Sequence, residues 1–155
     1  MDDIIITNAK SIMPQHKNEH KDYEYYKKVI VDGESGGQCN VSIYTIPPGK
    51  AAYPYHYHTK NEEVFYIISG TGTLKTPSGE QTVISGDVLA FPANKNGAHK
   101  LINSSENEML IYLDFDTYNS PEISHLLDSG KVVVYGRGFR QIFKENSEIG
   151  YYDGE

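Results

Sequence analysis

The chain has one cysteine, Cys39, which excludes an intrachain disulfide and any cysteine-rich zinc site. It has no apolar run long enough to span a bilayer, which excludes a single helical membrane pass. Its first ten residues, MDDIIITNAK, carry acids where a secretory leader carries bases, and the apolar run is too short for one. Basic residues are also scarce: 14 Lys and Arg against 21 Asp and Glu leave a net charge of −7. A DNA-backbone or anionic-membrane binder needs a basic face, so the expectation is no nucleic acid, no membrane and a cytoplasmic location. The one locally basic stretch lies near Arg137 and Arg140. The acidic excess itself reads as a solubility feature.

What is present leans to strands. The 155 residues suit one domain, and 13 tyrosines with many Ile and Val favour half-buried pleated surfaces. Residues 1–37 read as an N-terminal arm. Within it Ile4–Ile6 suit a short strand, residues 14–28 a polar loop, and Val29–Val31 another strand. His16 and His20, four apart, fall in that polar loop and read as solvated. From Asn40 the spacing of turn residues sets off short strands at 40–46, 63–69, 73–76, 80–84, 88–91, 98–103 and 108–115. At least seven short strands in series imply a sandwich or a barrel, without choosing between them. Beyond them, Ser120-Pro121 opens a short helical turn around Glu122–Leu127. Strands are expected again at 131–135 and 139–143, and Tyr151 and Tyr152 are expected to pack on something.

The chemistry sits at His56-Tyr57-His58. In an extended strand, residues i and i+2 share a face, so both imidazoles project together and Tyr57 points the other way. Two imidazoles on one side suit Zn, Fe, Mn, Ni or Cu. In the next strand, alternation with Phe65 and Ile67 turns Glu63 inward and Glu62 outward. A later strand places His99, Leu101 and Asn103 on one face.

These residues resemble the two motifs of the cupins. The first reads Gly49, His56, His58, Glu63, Gly70, and counting back from Gly70 selects Glu63 again. The second reads Gly86, Pro92, Gly97, His99, Asn103. The spacer from Gly49 to His56 is six residues where the family has five, and the Pro92–His99 loop is two residues longer than usual. The resemblance covers residues 40–115. It implies an all-β fold, a jelly-roll or double-stranded β-helix barrel. It also implies a divalent transition metal, Fe, Mn, Ni or Zn, held by His56, His58, Glu63 and His99.

The resulting expectation is a single cupin domain over 1–155: an arm (1–37), the barrel (38–116) and a C-terminal extension packing on it (117–155). The metal centre would act on, or bind, a small oxygen-bearing molecule, as an oxidoreductase of dioxygenase type or an isomerase. The alternatives are a non-catalytic carboxylate- or sugar-binding cupin and a structural metal. No catalytic residue is assigned. Tyr44 reads as a packed barrel residue, Tyr53 as a residue near the centre, Asn103 as a turn anchor and Cys39 as packing. Strand signals in an arm without its own core imply pairing with a second subunit, hence a homodimer.

Overall fold

The computed structural model describes residues 3–155. Its elements are strands and short 3-10 turns, with no α-helix among the described residues. In chain order the strands are β1 (Gln15–His20), β2 (Tyr23–Val31), β3 (Cys39–Ile46), β4 (His56–His58), β5 (Glu63–Ser69), β6 (Thr71–Thr76) and β7 (Gly79–Ile84). They continue with β8 (Val88–Phe91), β9 (Lys100–Asn103), β10 (Leu110–Thr117), β11 (Glu122–Leu126), β12 (Lys131–Gly136) and β13 (Phe139–Lys144).

One sheet has the order β1-β2-β3-β10-β5-β8. Two smaller sheets, β13-β12-β11-β4 and β7-β6-β9, meet where His56 and His99 bridge. There His56 N–H donates to the His99 carbonyl at 3.1 Å, and His99 N–H returns a bond to the His56 carbonyl at 2.9 Å. All strand pairs are antiparallel. The jelly roll therefore closes its second wall through two of the sequence-predicted site histidines.

The turn from β5 to β6 depends on Gly70. Its φ of 89° lies in the left-handed region, and a Cβ there would come within 2.5 Å of the Met109 carbonyl oxygen.

The lumen is built from the inward register of β3, β5 and β10. Tyr44, Ile46, Ile67, Leu110 and Tyr112 are all at most 1% exposed. Register places Ile46 opposite Leu110, Tyr44 opposite Tyr112 and Ser42 opposite Asp114. On the other side of β10, Tyr112 faces Ile67 and Asp116 faces Glu63. Tyr44 and Tyr112 stack at 5.1 Å between centroids, with their planes 7° apart.

Four expectations are corrected. Residues 14–28 are not a loop: they form most of the β1–β2 hairpin. Pairing lets this polar segment extend although it lacks apolar periodicity, and His16 stacks on Tyr26 across it at 4.3 Å. Ile4–Ile6 form no strand, and Ile4 and Ile6 are 89% and 93% exposed. Residues 122–126 form β11 rather than a helical turn, because bonding on both sides, to β4 and β12, outweighs one weak local turn. Tyr151 and Tyr152 touch each other edge-on at 4.9 Å but are 89% and 79% exposed, so the tail does not bury them.

The arm pairs within its own chain. β2 bonds to β3 from Tyr26 opposite Thr45 to Val31 opposite Val41. Its outer strand β1, QHKNEH, is exposed throughout and polar or charged, a composition that discourages edge-to-edge pairing. The extension is likewise integral to the sheets, since β11 pairs directly with β4.

Candidate metal centre

Two strands and one loop supply the site. β4 presents His56 and His58 on one face, while Tyr57 turns outward and stacks on His125 at 4.7 Å. Glu63 opens β5 and is 8% exposed, whereas Glu62 is exposed and its N–H donates to Thr117 Oγ1 at 2.9 Å. The inward choice of Glu63 is the one that alternation requires.

His99 follows the 3-10 turn Lys95–Gly97 and stacks on Phe91 with centroids 3.7 Å apart. Gly97 cannot carry a side chain here, because a Cβ would overlap the Pro92 carbonyl oxygen.

The four side chains converge. Glu63 Oε2 lies 4.0 Å from His56 Nε2, 3.5 Å from His58 Nε2 and 3.2 Å from His99 Nε2. His56, His58 and Glu63 each offer a ligand atom within 4.8 Å of the others.

The far side fixes the tautomer of two of the rings. His56 Nδ1 is 2.8 Å from the Pro54 carbonyl, and His99 Nδ1 is 2.9 Å from the Gly97 carbonyl. A carbonyl only accepts, so both Nδ1 atoms carry hydrogen, and in the neutral ring Nε2 keeps a bare lone pair. His58 Nδ1 meets the Tyr135 hydroxyl at 3.2 Å, with Glu122 Oε1 at 3.7 Å. Outward Nδ1 and convergent Nε2 is the orientation that metal-ligating histidines adopt.

The electrostatics point the same way. Burial, with the His58 charge adding, lowers His56 to about 4. Burial and His56 hold His99 well below the ordinary imidazole value. Both rings are therefore neutral near pH 7. His58 differs: burial pulls it down, but Glu122, Glu63 and Asp116 together raise it. Burial pushes Glu63 up to about 8, and Asp116 and Glu122 add to the rise against the opposing His58.

His99 Nε2 and Glu63 Oε2 are buried with no hydrogen-bond partner. Unpartnered buried polar atoms cost roughly 1–3 kcal/mol each. A cation shared by the imidazoles and Glu63 would satisfy both atoms, so the residues present fit the divalent metal that the motif implies.

Other expected residues find plain roles. Asn103 Nδ2 donates to the Ile46 and Glu108 carbonyls, each at 2.8 Å, so it does anchor the turn. Tyr44 is packed in the lumen, its hydroxyl 2.8 Å from that of Tyr53. The cavity beside His56 and His99 measures ≈ 10 Å³ and is walled by Ala52, Tyr53, Phe65 and Tyr112, about the room that one water needs.

Sequence reasoning missed four neighbours of the centre: Asp114, Asp116, Glu122 and Tyr135. The alternation in Leu110–Thr117, LIYLDFDT, already put both aspartates on the face of Leu110 and Tyr112. Glu122 Oε1 accepts from Thr59 N–H at 2.7 Å and Lys60 N–H at 3.1 Å, pinning the loop between β4 and β5. Burial would raise its pKa, but His58 and these two amides outweigh that and lower it.

A family model described as Cupin domain matches residues 42–115. No curated protein matches the chain by sequence. An Acidithiobacillus ferrooxidans protein described as a candidate sugar phosphate isomerase superposes with a TM-score of 0.82 at 21% identity, covering 94% of this chain and 96% of its own. A cupin-superfamily sugar phosphate isomerase from Silicibacter pomeroyi gives 0.78 at 20% identity, over 94% and 96%. A predicted oxalate decarboxylase from Thermotoga maritima gives 0.62 at 19%, over 72% and 97%. Identities this low establish the fold and leave the reaction open. Residues 42–115 match the Cupin domain model, and the strands before and after them close the same jelly roll that the structural neighbours have.

Proposed function

We propose that His56, His58, Glu63 and His99 hold one divalent transition ion, Fe, Mn, Ni or Zn, and that the protein uses it on a small oxygen-bearing molecule. One observation carries this reading: three Nε2 atoms converge on Glu63 Oε2 at 3.2–4.0 Å. When bound, the ion supplies Lewis acidity or a redox couple toward a carbonyl, hydroxyl or carboxylate oxygen. The chain's own contribution is orientation and exclusion of water. The Pro54 and Gly97 carbonyls fix two rings, Glu122 and Tyr135 back the third, and the aromatic wall keeps bulk solvent away.

The reaction class is an isomerisation or an oxidation. Isomerisation is the activity named for two structural neighbours, and support for it at this site is limited to that fold likeness. The second reading, an ion that holds a ligand or the strands together without turnover, is favoured by the tight packing beside His56 and His99, which encloses only ≈ 10 Å³.

Elemental analysis of purified protein and of His58→Ala tests the site. The variant is expected to lose the ion held by the imidazoles and so to carry less metal than His16→Ala, an exposed residue, which keeps it. Equal metal in both would overturn the ligand set. Incubating Fe(II), Mn(II) and Ni(II) forms with sugar phosphates and small carboxylic acids, following product and dioxygen uptake, separates the two readings. Binding without product supports the second.

A homodimer in the cytoplasm belongs to the same proposal, with the contact on a surface other than the arm, which pairs within its own chain. Light scattering at micromolar concentration checks the dimer, and a monomer overturns it.

A further inference from the structure

Beside the imidazoles, the lumen holds a group of different composition. Glu63, Asp114 and Asp116 each place a carboxylate oxygen within 4.8 Å of the others. The register explains why: Asp116 lies directly opposite Glu63, and Asp114, two residues away on the same strand, lies opposite Phe65, so all three project inward. Asp114 and Glu63 are 6% and 8% exposed.

No lysine or arginine forms an ion pair with these three carboxylates among the described residues.

A further observation comes from outside the acidic group. Ser42 is 1% exposed and sits opposite Asp114 across β3 and β10, yet its hydroxyl has no hydrogen-bond partner. Side chains directly opposite one another on an antiparallel pair have Cβ atoms roughly 4.5–5.5 Å apart. One oxygen each of Asp114, Asp116 and Glu63 is also buried and unpartnered. Ser42, Asp114, Asp116 and Glu63 thus bring four buried oxygens from three strands to one side of the lumen, with no donor from outside the group.

We propose that Glu63, Asp114 and Asp116, with the Ser42 hydroxyl beside them, form a second cation site for a hard divalent ion of the Mg²⁺ or Mn²⁺ class. An all-oxygen donor set selects such ions, whereas the imidazole-rich group suits Zn, Fe or Ni. Glu63 belongs to both groups, so its carboxylate bridges them. The lumen then holds a two-metal centre with chemically unlike halves, of the kind whose ions lie about 3.5–4 Å apart. This inference rests on the ligand reading above, since it shares Glu63 with it.

The test uses the full chain, stripped of metal and equilibrated with Mn(II) at neutral pH, with bound metal counted by elemental analysis after dialysis. Wild type is expected to bind two equivalents. Asp114→Asn is expected to bind one, and His58→Ala is expected to keep the oxygen-site ion. One equivalent in wild type, lost in His58→Ala and kept in Asp114→Asn, overturns the second site and leaves the first standing. No binding by any form overturns both. If Asp114→Asn does not fold, wild type alone decides. Electron paramagnetic resonance at saturating Mn(II) should show an exchange-coupled pair, and the six-line spectrum of isolated ions would overturn the proposal.

Discussion

The two halves of the barrel lumen come from the same three strands and yet behave as opposite materials. Toward one end, Ile46, Tyr44, Leu110, Tyr112 and Ile67 form a dry layer with no more than 1% exposure at any position. Toward the other, Ser42, Asp114, Asp116 and Glu63 meet the imidazoles, and several of their oxygens lack partners. The change occurs within a two-residue step on each strand: Tyr44 to Ser42, Tyr112 to Asp114, and Phe65 to Glu63. The dry half supplies burial, worth roughly 25 cal/mol per Å² of apolar area. The polar half spends part of that stability on groups that bind a ligand better than they bind each other. One register thus both closes the barrel and arms it.

The widest break in this comparison comes from the dry half. Tyr112→Ala should cost about 3–5 kcal/mol, the range for a deleted buried aromatic, and lower Tm by on the order of 10 °C. Metal stoichiometry in the folded fraction should not change. If elemental analysis shows the ion lost as well, the halves are not separable.

Next in size is Glu122→Gln. The amide oxygen still accepts from Thr59 and Lys60, but the charge beside His58 is gone. Metal affinity should fall by roughly 10–100-fold, as for other partners that orient a ligating histidine, with Tm little changed. Calorimetric titration reads this directly, and an unchanged Kd would reduce Glu122 to a loop anchor.

The pH dependence sharpens the contrast further. Glu63, raised from 4.5 to about 8, contributes stability that is complete below 4.5 and lost as pH rises through about 8. His56, lowered from 6.5 to about 4, contributes stability present above 6.5 and lost as pH falls through about 4. Metal-free protein should therefore lose Tm between pH 6.5 and 8, while metal affinity climbs over the same window because the ion displaces the Glu63 proton. Thermal melts with and without metal check the sign.

The smallest effect lies outside the lumen. Lys75 pairs with Asp128 at 3.0 Å on the surface, and Lys75→Ala should cost at most about 1 kcal/mol and leave metal content alone.

Much of this layout was legible in the residues. Glu63–Ser69 and Val88–Phe91 are strands at the expected bounds, because turn glycines and a proline bracket them. The inward choice of Glu63 over Glu62 followed from period-two alternation alone. The hairpin Gln15–Val31 was hidden because all of β2 is half-buried and all of β1 exposed, so neither strand has the alternation that marks a one-sided face. Asp114 and Asp116 were hidden for the opposite reason. Their alternation was plain, but acids on a strand read as its solvent side until Leu110 and Tyr112 are known to point inward. Glu122 acts on amides more than 60 positions away in the chain, a distance no local pattern spans.

The stacked tyrosines have a practical consequence for optical work. The chain has 13 tyrosines and no tryptophan, so its ultraviolet emission belongs to phenols alone. Tyr53 lies 6.2 Å from the His56 ring, and Tyr112 packs 4.7 Å from Phe65, which edges onto His99. An open-shell cation seated among those rings would darken nearby phenols while the exposed ones at 151 and 152 stay bright, so the protein carries its own reporter of occupancy and needs no label.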